Sequence, residues 1–166
     1  MDELDKAGAN PATGVRPRDR TGGCRMHRYL VVAHRTLGGP QLRETLEGLV
    51  AHGPSAFHIV VPAEPPHDHA WTEAEARHQA QLRLDHGLER LSSLDAEITS
   101  EVGDANPMQA VEDALLSGAS YEAIVVSTLP AGPSRWLKLD LPHRIEERTG
   151  LRVIHVVGSP EPVPAG

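Results

Sequence analysis

Aromatic side chains are scarce. The 166-residue chain has one Phe, two Tyr and two Trp, 3% of its residues. Its core must therefore be assembled from Val, Leu, Ile and Ala. Cysteine is scarcer: the single Cys24 excludes an intrachain disulfide, and its place in a polar leader marks it as incidental rather than a reactive thiol. No apolar stretch approaches the roughly 20 residues that cross a bilayer. No apolar h-region precedes a small-residue cleavage site, so no membrane association and a cytoplasmic location are expected. Motifs for catalysis are also missing. There is no G-x-S-x-G elbow, Walker A loop, H-E-x-x-H or G-x-G-x-x-G, and Gly38-Gly39 is not a dinucleotide fingerprint. No catalytic residue is assigned, and no residue pair specifically supports a hydrolase acting through His34 and Thr128.

Positive charge is in short supply as well. The formal net charge is −7. Residues 1–27 carry Lys6, Arg16, Arg18, Arg20 and Arg25 against Asp2, Glu3, Asp5 and Asp19, a local +1 that leaves −8 for the remainder. An acidic body repels phosphate backbones at long range, which argues against nucleic acid as a partner.

What is present is an alternation of two hydrophobic periods. Residues 1–27 have no sustained apolar period and are read as a disordered leader. The tail from 159 to 166, with Pro160, Pro162 and Pro164, is read as extended. Between them, Tyr29–Ala33 is a continuous apolar run, the pattern of a strand buried on both faces. Leu42, Leu46, Leu49 and Val50 recur at helical spacing. Phe57–Val61 forms a second strand, stopped by Pro62. Residues 72–94 form a long helix with a stripe of Ala80, Leu84, Leu88 and Leu91. Ile98, Ser100 and Val102 alternate as in a more exposed strand. Asn106-Pro107 opens a helix as N-cap and first position, with Val111, Ala114, Leu115 and Gly118 on its buried side. Ala123–Val126 is a fourth strand. Asp140 is expected to cap a helix with Leu141 and Ile145 facing inward, closed by Gly150. Val153–Val157 is the last strand.

This β-α-β-α-β-α-β-α-β pattern implies a single α/β domain over 28–158, with a five-stranded parallel sheet covered on both faces. Ligands of such sheets sit beyond the strand C-termini where the winding reverses. With the expected order 3-2-1-4-5, the reversal lies between the first and fourth strands. His34-Arg35-Thr36 and Ser127-Thr128-Leu129 follow those strands.

Three segments resemble the universal stress protein family. They are Arg28–Thr36, similar to the family's opening strand; Val102-Gly103-Asp104 through Pro107 to Ala114, similar to its Gly-Asp-x-x stretch; and Tyr121–Ser127, similar to its fourth strand. The resemblance implies the three-layer fold of universal stress proteins and adenine nucleotide alpha hydrolases, and a stress-response or regulatory role. It places a ligand at residues 34–36, 103–104 and 127–136. The chain departs from the ATP-binding members at two points. His34 stands where they carry an Asp that holds the nucleoside. In place of a Gly-x2-Gly-x9-Gly-Ser/Thr loop the chain reads Ser127 to Asp140, with Gly132 as the one candidate match and Pro130 and Pro133 lacking N–H donors. These departures argue against ATP or AMP bound in the family's usual manner, and no cofactor is assigned.

The candidate ligand-binding residues are thus His34, Arg35, Thr36, Gly103, Asp104, Ser127, Thr128, Gly132, Ser134, Arg135 and Trp136. The connection 128–139 is long for its type. It reads either as an anion or aromatic-ligand lid, with Arg135 and Lys138 offering charge, or as a plug in which Trp136 and Leu137 fill the end of the sheet. His34 and Arg35 either meet an anion or simply finish a strand. The hydroxyls of Ser127 and Thr128 either face a ligand or satisfy local backbone. His67-Asp68-His69, with His34, resembles a metal set, but the Pro-rich connector around it argues for a solvated loop, and no metal is expected. His78, His86, Arg77 and Arg83 are placed on the outer face of the long helix.

The expected function is a non-catalytic stress-response or regulatory protein that takes a small anionic ligand at the crevice. The alternatives are a weak adenine-nucleotide switch, a protein-interaction module with a self-filled pocket, and an α/β nucleotide hydrolase. A regulatory protein partner fits these readings. A homodimer through Val153, Ile154, Val156 and Val157 is expected, because this apolar strand falls at a sheet edge, and the resemblance implies the same.

Overall fold

In the computed structural model, residues 26–65, 70–130, 136 and 139–158 are described. The elements run β1 (His27–Val32), α1 (Pro40–Val50), β2 (Ser55–Pro62), α2 (Glu73–Leu91), β3 (Glu97–Gly103), α3 (Pro107–Leu115), β4 (Ala123–Thr128), α4 (Leu141–Thr149) and β5 (Arg152–Val157). The strands form one parallel sheet in the order β3-β2-β1-β4-β5. The sheet is therefore the doubly wound arrangement that the alternating periods imply. No helix among the described residues is long and apolar enough to cross a membrane.

Two core layers follow from the reversal. One face of the sheet presents Tyr29, Val31, Phe57, Ile59 and Val125 to Leu42 and Leu46 of α1 and Ala80, Leu84 and Leu91 of α2. The other presents Leu30, Val32, Val60, Ile124 and Val126 to Met108, Val111 and Ala114 of α3 and Leu141 and Ile145 of α4. Alternate residues of β1 and β4 point to opposite layers, so neither strand has a solvent face. The stacked rings of Tyr29 and Phe57, 5.6 Å between centroids, place two of the five aromatic residues in the first layer.

The helix signals have the expected physical origin, with two exceptions. Asn106 caps α3, its side-chain oxygen accepting from the Met108 and Gln109 N–H groups. Thr72 and Glu75 form a reciprocal capping box at α2. Gly150 closes α4 in the left-handed conformation, φ 74°. Asp140, in contrast, occupies the N-cap position of α4 without any side-chain cap bond, and its backbone is left-handed, φ 54°. Pro142, the second helical residue, lacks one of the N–H groups an N-cap side chain serves. Gly118 is the second exception. It lies beyond the end of α3 in an exposed turn with φ 94°, not on the buried side. β1 also starts at His27, inside the span assigned to the leader. Its N–H donates to the Pro54 carbonyl at 2.9 Å, and its Nδ1 lies 2.6 Å from Glu122.

Helix α2 approaches the β1–α1 connection closely because position 87 has no side chain: a Cβ on Gly87 overlaps the fully buried Leu37. Gly48 of α1, by comparison, has nothing within 4 Å of the corresponding point. The two positions give opposite signs in urea unfolding. Gly48→Ala is expected to stabilise by about 0.5–1 kcal/mol through helix propensity. Gly87→Ala is expected to destabilise by about 1–2 kcal/mol, because overpacking against Leu37 exceeds the same propensity gain. A stabilising Gly87→Ala refutes the close approach.

Candidate functional site

The crevice lies where the winding reverses, beyond the C-termini of β1 and β4. Side chains from three segments close it. His34 leaves β1 and is mostly enclosed. Trp136, from the β4–α4 connection, is 5% exposed and packs with the α3–α4 core layer. Its ring centroid lies 6.4 Å from that of His34 at 37°. Its indole N–H donates to the Glu64 carboxylate at 2.8 Å. Glu64 follows β2 and is also hydrogen-bonded through its backbone to His34. One residue thus fixes both rings.

The hydroxyls beneath are committed to one another. Thr36 Oγ1 and Ser127 Oγ are 2.5 Å apart and buried, a bridge between the ends of β1 and β4. Thr128 Oγ1 lies 2.8 Å from His155 Nε2 on β5, and the Gly158 N–H donates to the Thr128 carbonyl at 2.8 Å. The other candidate residues serve local structure. Gly103 makes room for packing, since a Cβ there would be 2.8 Å from Ala110 Cβ and Val60 Cγ1. Asp104 accepts from the Asn106 N–H at 2.8 Å in the turn that starts α3. Arg35 is exposed.

Of the candidate residues the structure joins His34 with Trp136 and Thr36 with Ser127, turns Thr128 to His155 on β5, and gives Gly103 and Asp104 local roles. Gly132, Ser134 and Arg135 lie outside the described residues, as do Leu137, Lys138, Cys24, the leader to residue 25, His67, Asp68, His69 and the tail from 159. Among the described residues no group of three or more His, Cys, Asp or Glu side chains gathers to hold a metal. Glu64 is the residue that sequence reasoning missed. Its signal was positional: it stands just past an interior strand, where side chains reach the crevice.

Burial pushes the His34 imidazole from its ordinary 6.5 down to about 3. The nearby Arg83 and Arg35 charges add to the shift, and the hydrogen bond with the Glu64 backbone opposes it. His34 is therefore neutral at pH 7 and offers an anion no charge. Arg83 and His86 are half-buried on α2 rather than on its outer face, because they flank Leu84 and Gly87, which pack inward; His78 is exposed as expected. A cavity of about 300 Å³ adjoins Trp136, walled by Glu64, Met108, Leu141 and Arg144. The α3 N-terminus that borders it has its first donors taken by Asn106, so it presents no ready anion cradle.

These features define a doubly wound α/β domain whose switch-point crevice is filled by its own aromatic side chain. No family model matches the chain, and no curated protein matches it. Among solved structures, a universal stress protein in complex with cAMP is similar, at 14% sequence identity and a TM-score of 0.47. That match covers 80% of this chain and 99% of the other.

The buried neutral His34 predicts an acid-dependent loss of stability. Its folded pKa lies below its unfolded value, so the unfolded chain binds the extra proton between the two. The stabilisation is complete above about pH 6.5 and is lost as pH falls toward about 3. Between about pH 5.5 and 4.5, wild type should lose about 1 kcal/mol more unfolding free energy than His34→Gln. Parallel pH profiles for the two proteins refute the assignment.

Proposed function

We propose that this chain is a non-catalytic regulatory domain of the universal stress type whose crevice is closed from within by Trp136. The carrying observation is the 5% exposure of Trp136 over His34, with its N–H committed to Glu64. The surrounding chemistry supports this reading over an anion site. His34 is neutral, the Thr36 and Ser127 hydroxyls pair with each other, and Thr128 faces His155. Groups that satisfy one another gain little by turning to a ligand, since each exchange breaks a hydrogen bond before it makes one. The hydroxyl–imidazole pair that a hydrolase reading would use is Thr128 with His155, 2.8 Å apart, and the hydrolysis assay below tests it.

The test is calorimetric titration of the wild-type chain with ATP, AMP and cAMP, together with a nucleotide-hydrolysis assay. No saturable binding with a dissociation constant below about 10 μM is expected for any of them, and no turnover. Tighter binding or steady release of phosphate overturns the closed, non-catalytic reading in favour of a nucleotide switch or a hydrolase.

A domain without a small-molecule output acts through association, and the edge of β5 is the surface suited to it. β5 ends the sheet beside β4 and leaves its outer backbone row unpaired by the sheet. Ile154 and Val153 are half-buried against the two core layers, Val156 is buried, and Val157 is 48% exposed. Of the four apolar residues, Val157 is therefore the one that presents an apolar surface at the edge. A homodimer through β5 satisfies the edge and covers that side chain. Sedimentation velocity at about 100 μM should give a dimer for wild type, and Val157→Lys should weaken it at least tenfold (about 1.4 kcal/mol). A monomeric wild type at that concentration eliminates this interface.

A further inference from the structure

We propose that the outer edge of β3 is a docking site for the chain's own N-terminal segment. Residues 16–20 add there as an antiparallel strand, with Arg20 beside Glu97, Arg18 beside Thr99 and Arg16 beside Glu101.

The edge specifies its occupant. β3 ends the sheet beside β2, so its outer row of N–H and C=O groups is unpaired by the sheet and can accept another strand. Its side chains divide by face. Ile98 and Val102 pack against the first core layer, while Glu97, Thr99 and Glu101 are exposed on the other face. His58 bonds to Thr99 and to Glu101, at 2.8 Å each, and holds both side chains on that face. A strand laid alongside therefore meets carboxylates at the first and fifth of five positions. Arg16, Arg18 and Arg20 recur at every second residue, so all three share one side of an extended strand. Opposite charges directly across two neighbouring strands stabilise the pair. Pro17 lacks an N–H, which an outermost strand tolerates.

The segment also reaches. His27, where β1 begins, is level with Ser55, and the next residue of β2, Ala56, pairs with Glu97. The position outside β3 lies three strand spacings from β1, about 14 Å. Residues 21–26 span up to about 20 Å when extended, and Gly22-Gly23 lets the chain turn. A groove of about 600 Å³ marks the path: its lining begins at Met26, passes Pro54 and Ser55, and ends at Asp95 and Glu97. Arrival from this end of the sheet makes the added strand antiparallel to β3. The segment has no apolar period and little to bury, so main-chain pairing and charge hold it, and salt weakens it.

The experiment is amide hydrogen exchange of the full chain at low salt, read at β3 and, for comparison, at the central strand β4. A variant carrying Arg16→Gln, Arg18→Gln and Arg20→Gln together is expected to exchange its β3 amides at least about fivefold faster than wild type, the scale of two exposed ion pairs, with β4 unchanged. The difference should vanish at about 1 M salt. Arg20→Glu alone should also speed exchange at β3, and adding Glu97→Arg should restore the protection. Equal exchange at β3 in wild type and the triple variant, an equal change at β4, or no restoration by Glu97→Arg overturns the proposal. Protection at β3 that grows between about 1 and 100 μM protein assigns the added strand to a second copy and overturns docking within one chain.

Discussion

Two strands with no solvent face control this structure. Every residue of β4 is buried, and so is β1 from Tyr29 onward. Burying both faces of a central pair requires helices above and below, and right-handed crossovers then oblige the chain to wind outward from that pair in both directions. α1 and α2 cover one side, α3 and α4 the other. A reversal of winding separates the connections that leave β1 and β4, and it opens a gap at their C-terminal ends. The buried Thr36–Ser127 pair sits in that gap. Its two hydroxyls would each be costly to bury alone and satisfy each other when buried together.

The gap then has to be filled, by a ligand or by the chain. With so few aromatic residues, the commitment of one Trp to this position is a large share of the available aromatic surface. The filling is polar as well as apolar. An indole in a dry site needs an acceptor for its N–H, and Glu64 supplies one. The same residue's backbone holds His34 in a place where burial and two nearby guanidinium charges keep the imidazole neutral. Neutral His34 in turn allows the indole to pack beside it without burying a charge. Each of the three residues depends on the protonation state or the geometry of the other two, so the closure is a cooperative unit.

The elements that the sequence made legible are those governed by local rules. The apolar runs of β1, β2 and β4, the Asn106-Pro107 start of α3 and the Gly150 end of α4 depend on periodicity and capping, which a single chain displays. The strand order was legible through topology, since alternating strands and helices leave few options. The closure was only half legible. Trp136 stood out by rarity, yet whether it covered a ligand or replaced one depends on Glu64, 72 residues away in sequence. Asp140 misled for a related reason. A carboxylate before a helix reads as a cap, but Pro142 removes one of the donors it would meet, and the backbone there turns left-handed. Likewise Asp104 and Gly103 matched a ligand-binding pattern while serving a turn and a packing contact. Long-range partners decide such cases, and periodicity carries no record of them.

The two edges of the sheet differ in charge. β3 ends one side with Glu97, Thr99 and Glu101 exposed along it, and His58 of β2 bonds to both Thr99 and Glu101. Carboxylates repeated along an edge repel a second copy brought against the same edge, which is a common way to block unwanted strand pairing. β5 ends the other side with no carboxylate, its one ionisable side chain beyond Arg152 being His155, which is engaged by Thr128 and held toward the neutral form by burial. An acidic protein that associates with itself must place its contact where its charge is least, because like charges brought together in an interface cost more than the apolar area returns. The asymmetry between the edges leaves β5, at the opposite side of the sheet from the acidic strand, as the edge with less charge to oppose the proposed pairing.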